Sequence, residues 1–93
     1  MCILYCVSKN DLYGYDVMKR MGAYFSDVDT STFYSILRRL HKEKDLDCYF
    51  VESSEGPQRK YYTITEKGRE TLLKLRQDWD AISDVVNQIF REE

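Results

Sequence analysis

Apolar residues in this chain recur first at spacings of three to four, then of two, then of three to four again, and the changes of period divide it into elements. Ile3, Leu4 and Val7 share one helical face, so a short helix is expected over Met1 to Ser8. Lys9-Asn10-Asp11 has turn composition. Tyr15 with Met18, and Val17 with Met21, predict a second helix from Gly14 to Tyr24 that Gly22 closes or weakens, followed by a connection over Phe25 to Val28.

Asp29 is suited to an N-cap, because its carboxylate can accept from the free N–H groups two and three residues on. The helix it starts carries Phe33, Ile36, Leu37 and Leu40 on one face. Ser31, Tyr34, Ser35, Arg38, Arg39 and Lys42 occupy the other. Period two then takes over. Leu46 to Glu52 and Arg59 to Thr65 read as strands, joined by a loop over Ser53 to Pro57. Two strands alone are marginal in water, so this hairpin must lean on the helices.

The last element is the longest. Thr65 is placed to cap a helix over Glu66 to Arg91, and Glu66 favours the positive end of its dipole. Leu72, Leu75, Trp79, Ile82, Val86 and Ile89 alternate spacings of three and four, a heptad seam widened by Leu73, Val85 and Phe90. At ~1.5 Å per residue the helix is roughly 39 Å long, with more apolar surface than three helices and a hairpin can cover. The excess calls for a partner, most simply the same helix of a second copy. The expected fold is mostly α with a small β-hairpin wing: a winged helix-turn-helix over residues 1–65, then a dimerisation helix over 66–93.

Composition narrows the class. At 93 residues and 43% hydrophobic, the chain is expected to form one small domain that gains from a partner subunit. No apolar run approaches the ~20 residues of a membrane span, and Met1-Cys2-Ile3-Leu4 lacks the basic start of a signal peptide. Cys2, Cys6 and Cys48 are an odd set without framework spacing, which reads as reduced thiols in the cytoplasm. Neither they nor His41 show zinc-type spacing, so no metal and no cofactor is expected. A nucleophile–base pair and a phosphate loop are likewise missing, which argues against an enzyme. The net charge of −2 argues mildly against nucleic acid, but distribution matters more than the sum. Bases cluster at Lys19-Arg20, Arg38-Arg39, Lys42 and Arg59-Lys60, whereas acids concentrate late in the chain.

That distribution singles out two elements. Groove reading needs a helix anchored by one face and bearing short polar and long basic side chains on the other. Thr30, Ser31, Tyr34, Ser35, Arg38 and Lys42 fit this; so would any amphipathic helix with a solvated face. A wing needs bases near the phosphates or the minor groove, and Gln58, Arg59 and Lys60 fit; so would a hairpin that uses charge to guard its edges. The two in succession are much more specific than either alone.

The chain carries, in order, Tyr13-Gly14-Tyr15, Thr32-Phe33-Tyr34, Leu37-Arg38-Arg39-Leu40, Tyr49-Phe50, the wing Gly56-Pro57-Gln58-Arg59-Lys60-Tyr61-Tyr62 and Thr65-Glu66-Lys67-Gly68. In the order and wording of these motifs it resembles the PadR family of bacterial transcriptional regulators. The resemblance covers roughly residues 3 to 80, is most specific in the wing, and is closest to the short subgroup with a single C-terminal helix. Where the family usually carries Lys-Glu-Gly after the recognition helix, this chain has Lys42-Glu43-Lys44, so the glycine that would fix this helix end, and with it the approach of the wing, is missing.

The resemblance implies a homodimeric, sequence-specific regulator, a repressor, that binds a double-stranded DNA operator. In drug-binding members a Trp at this place on the last helix lines a pocket at the dimer interface and stacks on planar ligands. That implies the same role for Trp79 and a small planar aromatic effector, while the heptad position alone gives Trp79 as seam packing. The alternative from another class is a protein-interaction module that keeps the fold without binding DNA.

Overall fold

The computed structural model describes residues 1–92. Its elements are α1 (Cys2–Lys9), β1 (Leu12–Tyr13), α2 (Gly14–Tyr24), α3 (Thr30–Lys42), β2 (Leu46–Ser53), β3 (Gly56–Ile64) and α4 (Glu66–Arg91). Each helix of the body buries the face that its period selects. Ile3, Leu4 and Val7 of α1, Val17, Met18 and Met21 of α2, and Phe33, Leu37 and Leu40 of α3 meet in one core, closed beneath by Leu46 and Tyr62 from the sheet. Asp29 caps α3, accepting from the Ser31 N–H at 3.0 Å. Thr65 caps α4, accepting from the Gly68 N–H at 2.9 Å.

Four features differ from the sequence expectation. The sheet has three strands in the order β1-β3-β2, because Leu12 and Tyr13 pair antiparallel with Tyr62 and Tyr61. A two-residue strand is too short to show a period, and it lies beside turn residues. α2 has the expected span, Gly14–Tyr24, but Gly22 does not close it; the helix ends at Phe25, whose N–H reaches the Met21 carbonyl at 2.7 Å. Gly56 and Pro57 belong to β3 rather than to the loop, which shrinks to Ser54-Glu55. The register shifts here: Val51 pairs Arg59 and Ser53 pairs Gly56, so Pro57 and Gln58 together oppose Glu52. Such a bulge is where a strand tolerates a proline, which has no N–H for the ladder. Finally, α3 ends in a Schellman turn despite the missing glycine. The Asp45 N–H reaches the Leu40 carbonyl at 2.9 Å and the Lys44 N–H the His41 carbonyl at 3.1 Å. Lys44 takes the left-handed conformation, φ 66°, which costs a non-glycine residue about 1 kcal/mol.

What holds that turn is the start of α4. Asp45 is a buried carboxylate. It accepts from the Thr71 hydroxyl at 2.8 Å and pairs with the Lys67 ammonium at 3.1 Å. Lys67 also donates to the Glu43 carbonyl at 2.6 Å, and the Thr65 hydroxyl donates to the Lys44 carbonyl at 2.6 Å. The end of α3 is thus tied to the first two turns of α4, and Leu72 packs on the core from the same stretch. Beyond it α4 leaves the body. The radius of gyration is 15.9 Å, against about 12 Å for a globular chain of this length. The longest extent is 59 Å.

Candidate nucleic-acid interface

The anchored face of α3 leaves its opposite face bare. Ser31, Ser35, Arg38 and Lys42 follow one another at helical spacing, with Tyr34 beside them, and all are exposed, as is Thr30 at the helix start. Arg38 donates to the Ser35 hydroxyl at 3.3 Å, one turn back, which draws the guanidinium along the helix surface. The first turn of α3 contains no acid, and Lys42 and Arg39 sit in the last. The Asp29 carboxyl is held below its usual range by the backbone N–H of Ser31, and then by the Ser31 side chain. Both bonds favour the ionised carboxylate that serves as the cap.

The wing arises from β2 and β3 where they run past the core. Directly paired residues share a face of the sheet and successive ones alternate. Arg59 and Lys60 therefore lie on opposite faces. Lys60 shares the face of buried Tyr62, with its ammonium 5.4 Å from that ring's centre. Arg59 shares the outer face with a ladder of tyrosines. Ring centres are 6.2 Å apart for Tyr15–Tyr13, 5.9 Å for Tyr13–Tyr61 and 5.7 Å for Tyr61–Tyr49. The Arg59 guanidinium lies 5.2 Å from the Tyr13 ring centre. At the ladder's far end the Tyr49 hydroxyl donates to Asp11 at 2.8 Å, and this bond to a carboxylate raises the phenol above its ordinary pKa. Gln58 is exposed at the bulge. The turn itself is acidic, with Glu52 and Glu55 exposed, so attraction to phosphate belongs to the β3 side of the wing rather than its tip.

The structure thus sets an exposed polar helix face and a hairpin with basic side chains on one small body. Sequence reading misses the tyrosine ladder and the Asp45 node. The tyrosines are visible as strand residues, but their stacking depends on the register and on β1. Asp45 looks like a loop acid, and nothing local announces its burial. The six seam residues lie along one side of α4. Leu72 is half-buried against the body, while Leu75, Trp79, Ile82, Val86 and Ile89 are exposed in the single chain, Trp79 at 54%.

Comparison with known proteins gives consistent results. A curated relative, an uncharacterised protein of Lysinibacillus sphaericus, is 27% identical over 88 residues, spanning 91% of this chain and 81% of its own length. The crystal structure of a PadR-like transcriptional regulator from Bacillus cereus is 39% identical and superposes with a TM-score of 0.86, covering 99% of this chain and 90% of that one. A PadR family transcription regulator from Clostridium difficile is 31% identical with a TM-score of 0.83, covering 95% and 93%. The family model described as transcriptional regulator PadR-like matches residues 3–74, most of the chain and all of the elements that build the interface. This chain is a member of the PadR-like family of transcriptional regulators.

Proposed function

We propose that the chain is a homodimeric, ligand-responsive repressor that acts in the cytoplasm. Each subunit lays α3 in a major groove, and Lys60 and Arg59 straddle the adjacent backbone from the two faces of the wing. The observation that carries this reading is the bare stripe Ser31–Ser35–Arg38–Lys42 on a helix pinned by Phe33, Leu37 and Leu40. Phosphate contacts supply most of the affinity, and Tyr34, Ser31, Ser35 and Arg38 supply the base readout. Residues 1–65 are the DNA-binding unit in this reading. Residues 66–93 are the dimerisation unit, their first two turns shared with the body. No helix among the described residues is long and apolar enough to cross a membrane.

Binding to DNA upstream of the chain's own gene, followed by fluorescence anisotropy against salt, tests the reading. Arg59→Ala and Lys60→Ala should each weaken binding to every sequence and lower the salt slope by about 1. Arg38→Ala and Tyr34→Phe should narrow the gap between operator and random DNA, since a base contact is worth about 1–3 kcal/mol of discrimination. Wing variants that bind like wild type at ~150 mM salt, where long-range charge is screened, would remove the wing from the interface. Binding to neither operator nor random DNA would favour the interaction module.

The effector, in this reading, is a flat aromatic molecule held between Trp79 and its mate across the dimer. An open groove of about 1140 Å³ between α1, the end of α2 and the start of α4 is lined on α4 by Arg69, Leu72, Leu73 and Arg76 but not by Trp79; in this reading the second subunit completes the site at Trp79. A ligand can act only by favouring one spacing of the two bodies. Trp79 is the only Trp of the chain, so its fluorescence reports directly. A planar dye should quench it saturably and lower operator affinity, and Trp79→Ala should abolish the quenching while the dimer persists. An unsaturable signal, or a dimer lost on Trp79→Ala, would make Trp79 a packing residue only.

A further inference from the structure

The end of α3 and the start of β2 bring together three side chains that the DNA-binding reading leaves unused. His41 stands in the last turn of α3, and Asp47 and Cys48 lie near the start of β2, across the Schellman turn at Lys44. The Cys48 sulfur is 3.6 Å from His41 Nε2. One ring nitrogen of His41, the Cys48 sulfur and an Asp47 carboxylate oxygen all lie within 4.8 Å of one another.

That separation has a chemical meaning. Zinc bonds thiolate at about 2.3 Å and imidazole at about 2.0–2.1 Å, and at a tetrahedral angle this sets sulfur and nitrogen about 3.6 Å apart. The observed pair already spans one edge of such a tetrahedron. Asp47 is exposed, and its carboxylate folds back to accept from the Cys48 N–H at 2.9 Å, within 4.8 Å of the other two ligand groups. We infer that His41, Asp47 and Cys48 form a binding site for a zinc-class divalent metal, with water in the fourth position. One thiolate, one imidazole and one carboxylate suit zinc or cobalt(II) and disfavour magnesium and calcium, which take all-oxygen shells. Binding releases the Cys48 thiol proton to solvent. The metal would clamp the end of the recognition helix to the first strand of the wing, which are otherwise joined by a turn that contains a strained lysine. The site does not depend on DNA binding.

Titration of the reduced protein with cobalt(II) tests it. One equivalent per chain should produce a thiolate-to-cobalt charge-transfer band, and zinc should displace it. Cys48→Ser should remove the band, and His41→Gln and Asp47→Asn should weaken cobalt binding at least about tenfold. The double variant Cys2→Ser, Cys6→Ser should keep the band. Zinc should raise the melting midpoint of wild type and of the double variant but not that of Cys48→Ser. Circular dichroism checks that each variant folds, and His41→Gln, altered only at a helix end, carries the test if Cys48→Ser does not. No band at stoichiometric cobalt would leave the His41–Cys48 contact as a thiol–imidazole hydrogen bond and overturn the inference. A band that survives in folded Cys48→Ser, or that is lost with Cys2 and Cys6, would overturn it equally.

Discussion

Gly68→Ala should destabilise this protein severely, although it replaces glycine with the best helix former inside a helix. Helix propensity alone predicts a gain of about 1 kcal/mol. The tertiary contact predicts the reverse. A Cβ at Gly68 would overlap the Asp45 carbonyl oxygen and lie 2.8 Å from Ile64 Cγ1 and 2.9 Å from the Asp45 carbonyl carbon. Two of these three atoms are backbone, so no rotamer change relieves the clash. α4 would have to lift from the α3–β2 turn. Lys67 and Thr71 would then be drawn away from Asp45, and the bonds that tie the α3–β2 turn to α4 would be lost. We expect a loss of at least about 3 kcal/mol. At fixed protein concentration this corresponds to a fall of at least about 12 °C in the melting midpoint. A variant that melts at or above wild type would show that α4 does not seat on Asp45 as described.

Gly68 illustrates what could be read in advance. As a letter it belongs to the Thr-Glu-x-Gly wording that supports the family resemblance, and it sits where a helix would sooner have alanine. The helices were legible because each repeats its apolar face over several turns. Asp29 and Thr65 were legible as caps because capping is local chemistry. What stayed hidden depends on residues far apart in the chain. β1 is recognisable only once β3 lies beside it. The opposite facing of Arg59 and Lys60 needs the register of β3, whereas their adjacency in sequence suggests one patch. Asp45 is a surface-type residue until α4 covers it with Lys67 and Thr71. Lys44 shows the converse: the sequence announced a difference at that helix end, and the chain keeps the glycine-type geometry at an energetic cost because the Asp45 node fixes both sides of the turn.

Val86→Asp separates the proposed dimer from a functional monomer most sharply, because the single chain makes it nearly silent. Val86 is exposed on α4, and Val and Asp differ little in helix propensity, so an isolated subunit should change by no more than about 0.5 kcal/mol. In a paired seam the same change buries one carboxylate per subunit. At about 3 kcal/mol for each, and two per dimer, association should weaken by a factor on the order of 10⁴. Sedimentation at micromolar concentration should therefore find dimeric wild type and monomeric variant, with the core helices and sheet intact by circular dichroism. The effect should reach DNA. Two α3 helices can enter successive major grooves only if the seam holds them about 34 Å apart. The monomer should bind an operator no better than a half-site, with about half the salt slope of the dimer. A monomeric wild type, or a variant that sediments as a dimer, would mean that the exposed face of α4 from Leu75 to Ile89 is not a self-association seam.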